Sequence, residues 1–372
     1  MSRVRSRRVA WAVVAALLLV YPLFASRFWS VSIGAHSLIL GIVALSLILL
    51  AGYGGMVSLA QTAIAGVAGY VVALLTVPNL PQQVVAFPVA PHWPAFLAVP
   101  AALLAATGAA LLFGLIAVRS QGIYLMMLTV ALGVGFFYLA EQNYAVFGGH
   151  GGIPEVVSPL GYTSQNPALF YYVCLVSAVV LYLAVKYLVR TPFGLALQGT
   201  RDNPRRMRAL GYWVGLHRVV AFGIAGFIAG VGGVLSVWYN GGISPGSIDL
   251  TRILEILIIA VVGGLSFPEG AFVGALAFVL VDTFASSVPT IPLPLLGDFS
   301  FRERFNTLIG LTFLLVVLFS PNGLIGIGQR LVARWSEHRS ATSPSATDRT
   351  ELGPPAEPDA AAAPLVDPAS ER

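Results

Sequence analysis

Of 372 residues, 57% are hydrophobic and only 10% charged, and the mean hydropathy of +0.83 is more than a water-soluble domain can expose without aggregating. The net charge of +5 comes from arginines at the ends of apolar runs, a membrane-orientation pattern that argues against a nucleic-acid partner. A single cysteine, Cys174, excludes disulfides and cysteine-rich metal sites, so the chain reads as an all-α polytopic protein of the lipid bilayer.

The chain opens with M-S-R-V-R-S-R-R and an apolar run to Ala25, resembling a signal peptide but lacking an A-x-A cleavage site. It reads as an uncleaved first helix entering from the cytoplasm. Apolar segments long enough for a helix to cross the hydrocarbon core then recur, giving ten spans near 9–25, 31–50, 56–77, 95–118, 122–141, 168–189, 219–238, 250–264, 270–289 and 305–320. With the N-terminus inside, loops 78–94, 142–167 and 239–249 fall outside and carry no Lys or Arg. Arg119, the loop 190–218 and the tail fall inside, whereas Arg302 and Arg304 break the pattern. The organisation is then a basic N-terminus and first helix (1–30), a transmembrane domain (31–328), and a tail (329–372) disordered over 341–372 by composition. Both termini are cytoplasmic.

Two glycine-rich stretches interrupt the apolar pattern. In Ala51 to Tyr70, Gly52, Gly54 and Gly55 would break a helix, which at membrane depth is tolerated only where protein or a watery cavity meets the freed backbone. Ser58, Gln61 and Thr62 follow, either as groups that meet a polar solute or as interhelical hydrogen-bonding packing. The second stretch, V-V-G-G-L-S-F-P-E-G-A-F-V-G-A (261–275), echoes the first and suggests a weak internal repeat lining a path between two halves. Gly226, Gly230 and Gly233 read as close helix packing.

The segment 190–218 carries Arg190, Arg201, Arg205, Arg206, Arg208 and Arg218 against one acid, Asp202. Asn203 can cap a helix beginning at Pro204, with Gly211 left-handed just past its end. A second short helix fits Phe193 to Thr200, so the loop is either a folded knob for a soluble partner or a stretch that only fixes topology.

Buried charge is sparse. Arg252 and Glu255 lie one turn apart and pair; Glu141 and Lys186 sit at span edges within reach of water. Asp282 faces a pore or is hydrogen-bonded packing, and the lone His36 reads as structural. No relay of buried acids is present, which disfavours a stand-alone proton-coupled secondary carrier. Phosphate loops, H-E-x-x-H and G-x-S-x-G are absent, and G-G-H-G-G-I-P (148–154) has no lysine. The chain is no enzyme by this reading, and any ATP must be hydrolysed by another chain.

Several collinear motifs carry a resemblance. G-Y-G-G-M-V-S-L-A-Q-T-A-I-A-G-V-A-G-Y, R-S-Q-G-I-Y-L-M-M-L-T-V-A-L, F-G-G-H-G-G-I-P, T-P-F-G-L-A-L-Q-G-T-R-D-N-P-R-R-M-R-A-L-G, the 261–275 stretch and L-F-S-P-N-G-L-I-G resemble, in order over roughly 35–328, permease subunits of branched-chain amino-acid ABC importers of the LivM type. The resemblance implies a cell inner-membrane subunit that pairs with a LivH-type permease, two ABC ATPases and an extracytoplasmic solute-binding protein. It binds no cofactor itself, ATP-Mg being held by the ATPases. It further implies ATPase coupling through Arg190, Gly194, Arg201, Asn203, Arg205, Arg206, Arg208 and Gly211, and a substrate path by Ser58, Gln61, Thr62, Thr129 and Asp282. Ala60, Leu195 and the three arginines after Pro204 depart from the family pattern. Relatives also handle urea and short amides, so the solute class stays open.

Overall fold

Helices form wherever the apolar runs exceed four turns, since in lipid only an internally hydrogen-bonded backbone is tolerated. The computed structural model describes residues 18–22, 26–77, 84, 93–156, 158–159, 167–287, 291–293, 297–299 and 323–326, all within the compact unit Met1–Gln329. In order these give α1 (Phe28–Tyr53), α2 (Gln61–Thr76), α3 (Ala95–Ala117), α4 (Ile123–Gln142), α5 (Tyr144–Phe147), α6 (Pro167–Leu188), α7 (Pro192–Asp202), α8 (Pro204–Ala209), α9 (Val214–Asn240), α10 (Leu250–Gly263) and α11 (Glu269–Ser287). Two-residue strands β1 (Ile153–Pro154) and β2 (Gly242–Ile243) pair antiparallel, and β3 (Ile291–Leu293) pairs with β4 (Gly297–Phe299).

Five described helices are long and apolar enough to cross a membrane: α1, α3, α4, α6 and α9. Helices α2, α10 and α11 stand where spans are expected. The expected spans 9–25 and 305–320 lie outside the described residues, apart from a helical 18–22, as does the tail 341–372.

Burial separates core from periphery. The apolar windows of α1 and α9 are 78% and 72% buried, those of α3 and α4 only 22%, so α1 and α9 form the centre and α3 and α4 present Leu104, Leu112, Ile123 and Met127 outward. The sequence explains the close approach of α9. Along α3, Ala98, Ala102, Ala106, Ala110 and Gly114 repeat every fourth residue and are all buried, making a smooth ridge. Gly226 and Gly230 of α9 lie against Ala110 and Ala106, and Gly233 lies on the Ala65 carbonyl of α2. Tyr70 of α2 meets Phe147 edge-to-face at 5.0 Å, closing the same layer against α5.

The G-G-H-G-G-I-P run is a tight turn, not a phosphate loop. Gly152 sits so close to the Ile243 carbonyl that a side chain there would collide, and Ile153 pairs with Ile243 in β1–β2.

A methyl at Gly226 would collide with Ala110, whereas one at Gly108 meets nothing within 4 Å. Gly226→Ala should therefore cost about 1–3 kcal/mol and lower the melting temperature in detergent, while Gly108→Ala leaves it unchanged. Equal melting of the two variants would refute the α3–α9 contact.

Candidate functional site

The first glycine stretch is broken as its sequence requires. Towards its end α1 widens to a π-type turn over Leu49–Tyr53, with Gly54 N–H donating to the Leu49 carbonyl at 3.3 Å and Met56 N–H to Leu50 at 2.9 Å. Gly55 has φ +65, a left-handed conformation that glycine adopts without steric cost, and α2 restarts only at Gln61.

The second stretch breaks in the same manner. Helix α10 stops at Gly264, φ 113, and α11 begins at Glu269 after Pro268. The two breaks touch: Gly52 lies against the Leu265 carbonyl, and Tyr53 Oη donates to the Ser266 carbonyl at 3.5 Å. Gly323, from the last quoted motif, packs on Gly264.

Of the expected path residues, Ser58, Gln61 and Thr129 are buried and hydrogen-bonded. Ser46 Oγ donates to Gln61 Oε1 at 3.1 Å, Gln61 Nε2 donates to Ser58 Oγ at 3.4 Å, and Leu59 N–H donates to Thr129 Oγ1 at 3.1 Å. These hydrogen bonds lie beside the broken segment. Thr62 is different, because it lines a cavity.

That cavity, about 150 Å³, lies among α1, α2, α9 and α10. Its polar wall holds Thr62, Ser236, Asn240, Ser247, Arg252 and Glu255; Ile39, Val43 and Ile256 are among its apolar walls. Asp249 caps α10 by accepting the Arg252 N–H at 2.9 Å, and one turn on Arg252 Nη1 donates to Glu255 Oε2 at 2.7 Å, as the spacing predicts. Asn240 Nδ2 donates to Ser236 Oγ at 3.4 Å. His36 stacks flat on Tyr239 at 4.9 Å and forms part of the wall, so it is placed by an aromatic partner. Asp282 is half-buried on α11, within coulombic reach of Arg252 but not on the cavity wall. Ser236, Asn240 and Ser247 were missed by sequence reading; the signal was their clustering at the end of α9 and in the turn before α10.

The basic segment is folded. Asn203 Oδ1 accepts the Arg206 N–H at 3.0 Å, capping α8, and Gly211 has φ +87 just beyond it. Thr191 caps α7 by accepting the Gly194 N–H at 3.4 Å, and Gly194 is buried against the Leu188 carbonyl. Arg190, Arg205, Arg206 and Arg208 are exposed. Arg201 is half exposed as well, but its Nη1 donates to the Gly52 carbonyl. Arg218 is not in the loop: it belongs to α9, is 8% exposed, and its Nε makes no hydrogen bond among the described residues. Lys186 sits near the end of α6 with its side chain 34% exposed, as expected, and its Nζ also donates to Tyr182 Oη at 2.6 Å and to Glu269 Oε1 at 3.2 Å. Glu141 sits 3.5 Å from the exposed His150.

A membrane helix bundle with paired breaks, a small cavity and a separate folded basic knob defines a transport subunit. The chain belongs to the branched-chain amino-acid transport permease family, whose description, "branched-chain amino acid transport system / permease component", matches residues 31–317. It is 25% identical over 337 residues to the high-affinity branched-chain amino acid transport permease LivM of Escherichia coli K12, covering 83% of this chain and 72% of that protein. It is 24% identical over 217 residues to the probable LivM of Methanocaldococcus jannaschii (54% and 59% covered), and 27% identical over 158 residues to the probable LivH of that organism (42% and 48%). These relatives are permease proteins, and the chain is a transport subunit, not an enzyme.

If Gln61 serves packing, Gln61→Leu removes the donor to Ser58 Oγ, while Ser46 keeps its 2.6 Å bond to the Val43 carbonyl, and should cost about 1–3 kcal/mol. The melting temperature should fall while the ranking of transported solutes stays the same. A changed ranking at unchanged stability would return Gln61 to the path.

Proposed function

We propose that this chain is one permease subunit of an ATP-driven importer in the cell's inner membrane, with both termini cytoplasmic. It pairs with a LivH-type permease, and two ABC ATPases holding ATP-Mg and an extracytoplasmic solute-binding protein complete the machine. The solute is a branched-chain amino acid or a similarly small polar molecule, as the names of the relatives suggest.

The observation that carries this reading is the capped α7–α8 pair with Arg205, Arg206 and Arg208 exposed on its second helix. A loop that only set topology would need charge but no caps. Exposed guanidinium groups on a fixed scaffold suit a protein surface of opposite charge. The cavity lies towards the other end of α9: Val214 follows the knob and Asn240 lines the cavity, about 39 Å apart along the helix. Solute and nucleotide are thereby handled at separate ends. The absence of Lys and Arg from 142–167 and 239–249 supports an outward position for the cavity end.

Within the cavity, the Arg252–Glu255 pair offers both signs of charge beside apolar walls, which suits a zwitterion with a short aliphatic side chain better than a neutral amide. Uptake of labelled leucine, urea and acetamide by the co-purified complex decides among the solutes.

Arg205→Glu with Arg206→Glu should weaken ATPase retention at least about tenfold, roughly 1.4 kcal/mol, without reducing membrane insertion. Pull-down from detergent reads the first and membrane fractionation the second. Undiminished ATPase retention with full uptake would overturn the assignment.

A further inference from the structure

We propose that the corner between α6 and α7 clamps both helix breaks, and that Arg201 is the positioning residue through which movement of α7 reaches the membrane-embedded segments. The inference rests on the reading of the α7–α8 knob as the ATPase contact, and goes beyond it by naming the internal linkage.

The need for such a residue follows from the break. Unwinding frees backbone acceptors, and where protein buries them, as at Gly52, they must find protein partners. The Gly52 carbonyl finds the Arg201 guanidinium, a donor that stays charged whatever its surroundings. The contact is wider than one hydrogen bond. A methyl on Gly55 would stand 2.7 Å from Arg201 Cγ and 3.4 Å from its Cα, and one on Gly54 would stand 3.6 Å from Leu197 Cδ1. Helix α7 therefore rests on the unwound stretch itself.

Helix α7 is fixed to α6. Besides the Thr191 cap and the buried Gly194, Gln198 Nε2 reaches back to the Val189 carbonyl at 3.1 Å across the corner. Higher on α6, Tyr182 Oη donates to Glu269 Oε1 at 2.5 Å and Lys186 Nζ reaches the same oxygen at 3.2 Å. Glu269 is the first residue of α11, directly after the second break. Because the breaks also touch at Gly52 and Leu265, the contacts close a ring: α6 to α7, α7 to the first break, the first break to the second, and Glu269 back to α6. Rotating α7 away withdraws the guanidinium from Gly52 and loosens both breaks together.

Arginine is suited to this post for geometric reasons. Its side chain is half exposed, with Nε 3.8 Å from Asp202, so the shaft spans from the knob's surface to the carbonyl. Lysine carries the same charge on a compact ammonium with three donors and lacks the planar five-donor fork.

The test uses the complete importer in proteoliposomes, this chain with its second permease, ATPases and binding protein. The readouts are ATPase retention and ATP hydrolysed per labelled leucine imported. Arg201→Gln should keep ATPase at wild-type stoichiometry and raise ATP consumed per leucine at least tenfold, and Arg201→Lys should recover part of the coupling. Lys186→Met reads the other arm and should raise the same ratio, which keeps the test open if Arg201→Gln folds poorly. Unchanged ratios in both variants overturn the clamp while leaving the ATPase assignment intact. Loss of ATPase retention in Arg201→Gln also overturns it, by making Arg201 a docking contact. If the wild-type chain retains no ATPase, the functional reading fails first and the clamp falls with it.

Discussion

A chain that leaves its helix between two apolar runs frees backbone donors and acceptors that must be paired wherever protein buries them, and the architecture here follows from that constraint. The breaks at 52–60 and 264–268 are set against each other, so that glycine on one side accommodates a carbonyl on the other. What remains unpaired is met by side chains from elsewhere in the sequence: Arg201 at Gly52, Thr129 at the Leu59 amide, Tyr53 at Ser266. Such segments are held by a few specific contacts instead of a continuous hydrogen-bond ladder. They are the natural places for a bundle to have two arrangements of similar energy.

The rest of the bundle resists rearrangement. Between α3 and α9 small residues on each helix face either small residues or a large side chain of the other, Gly226 on Ala110 and Gly114 on Phe222, so the two helices are closely interlocked. Peripheral α4, with most of its apolar surface outward, meets the first break through Thr129 and Gly133 and gives Phe136 to the aromatic layer. A rigid layer beside a pair of soft breaks is the division of labour that rocking of one part against another requires.

Features governed by neighbours in sequence were legible from it. The Asn203 cap, Gly211 beyond α8, the Arg252–Glu255 pair and the glycine breaks each depend on residues within a turn or so of one another, where spacing alone fixes geometry. Features governed by distant parts of the chain were not. Nothing in local composition distinguishes Arg201, which turns in to Gly52, from Arg205, which stays in water; the difference is made by an unwound carbonyl 149 positions away. Ser58 and Gln61 were visible as polar groups near a break, but their partner Ser46, one helix earlier, was not. Arg218 looked like a loop cation because its charge was counted before the start of α9 was known.

The cavity and the knob pose the remaining physical problem, since they lie at opposite ends of α9. Helix α9 itself cannot carry the signal by bending, because its small-residue face is pressed against α2 and α3. The alternative carrier is α1, whose one end bears His36 on the cavity wall and whose other end is the break that Arg201 holds. Its most apolar window is 78% buried, yet both of its ends contain wide π-type turns. These turns leave hydrogen bonds that can be exchanged without lifting the helix from the core. A shift of α1 along its own axis would alter the cavity and the break together.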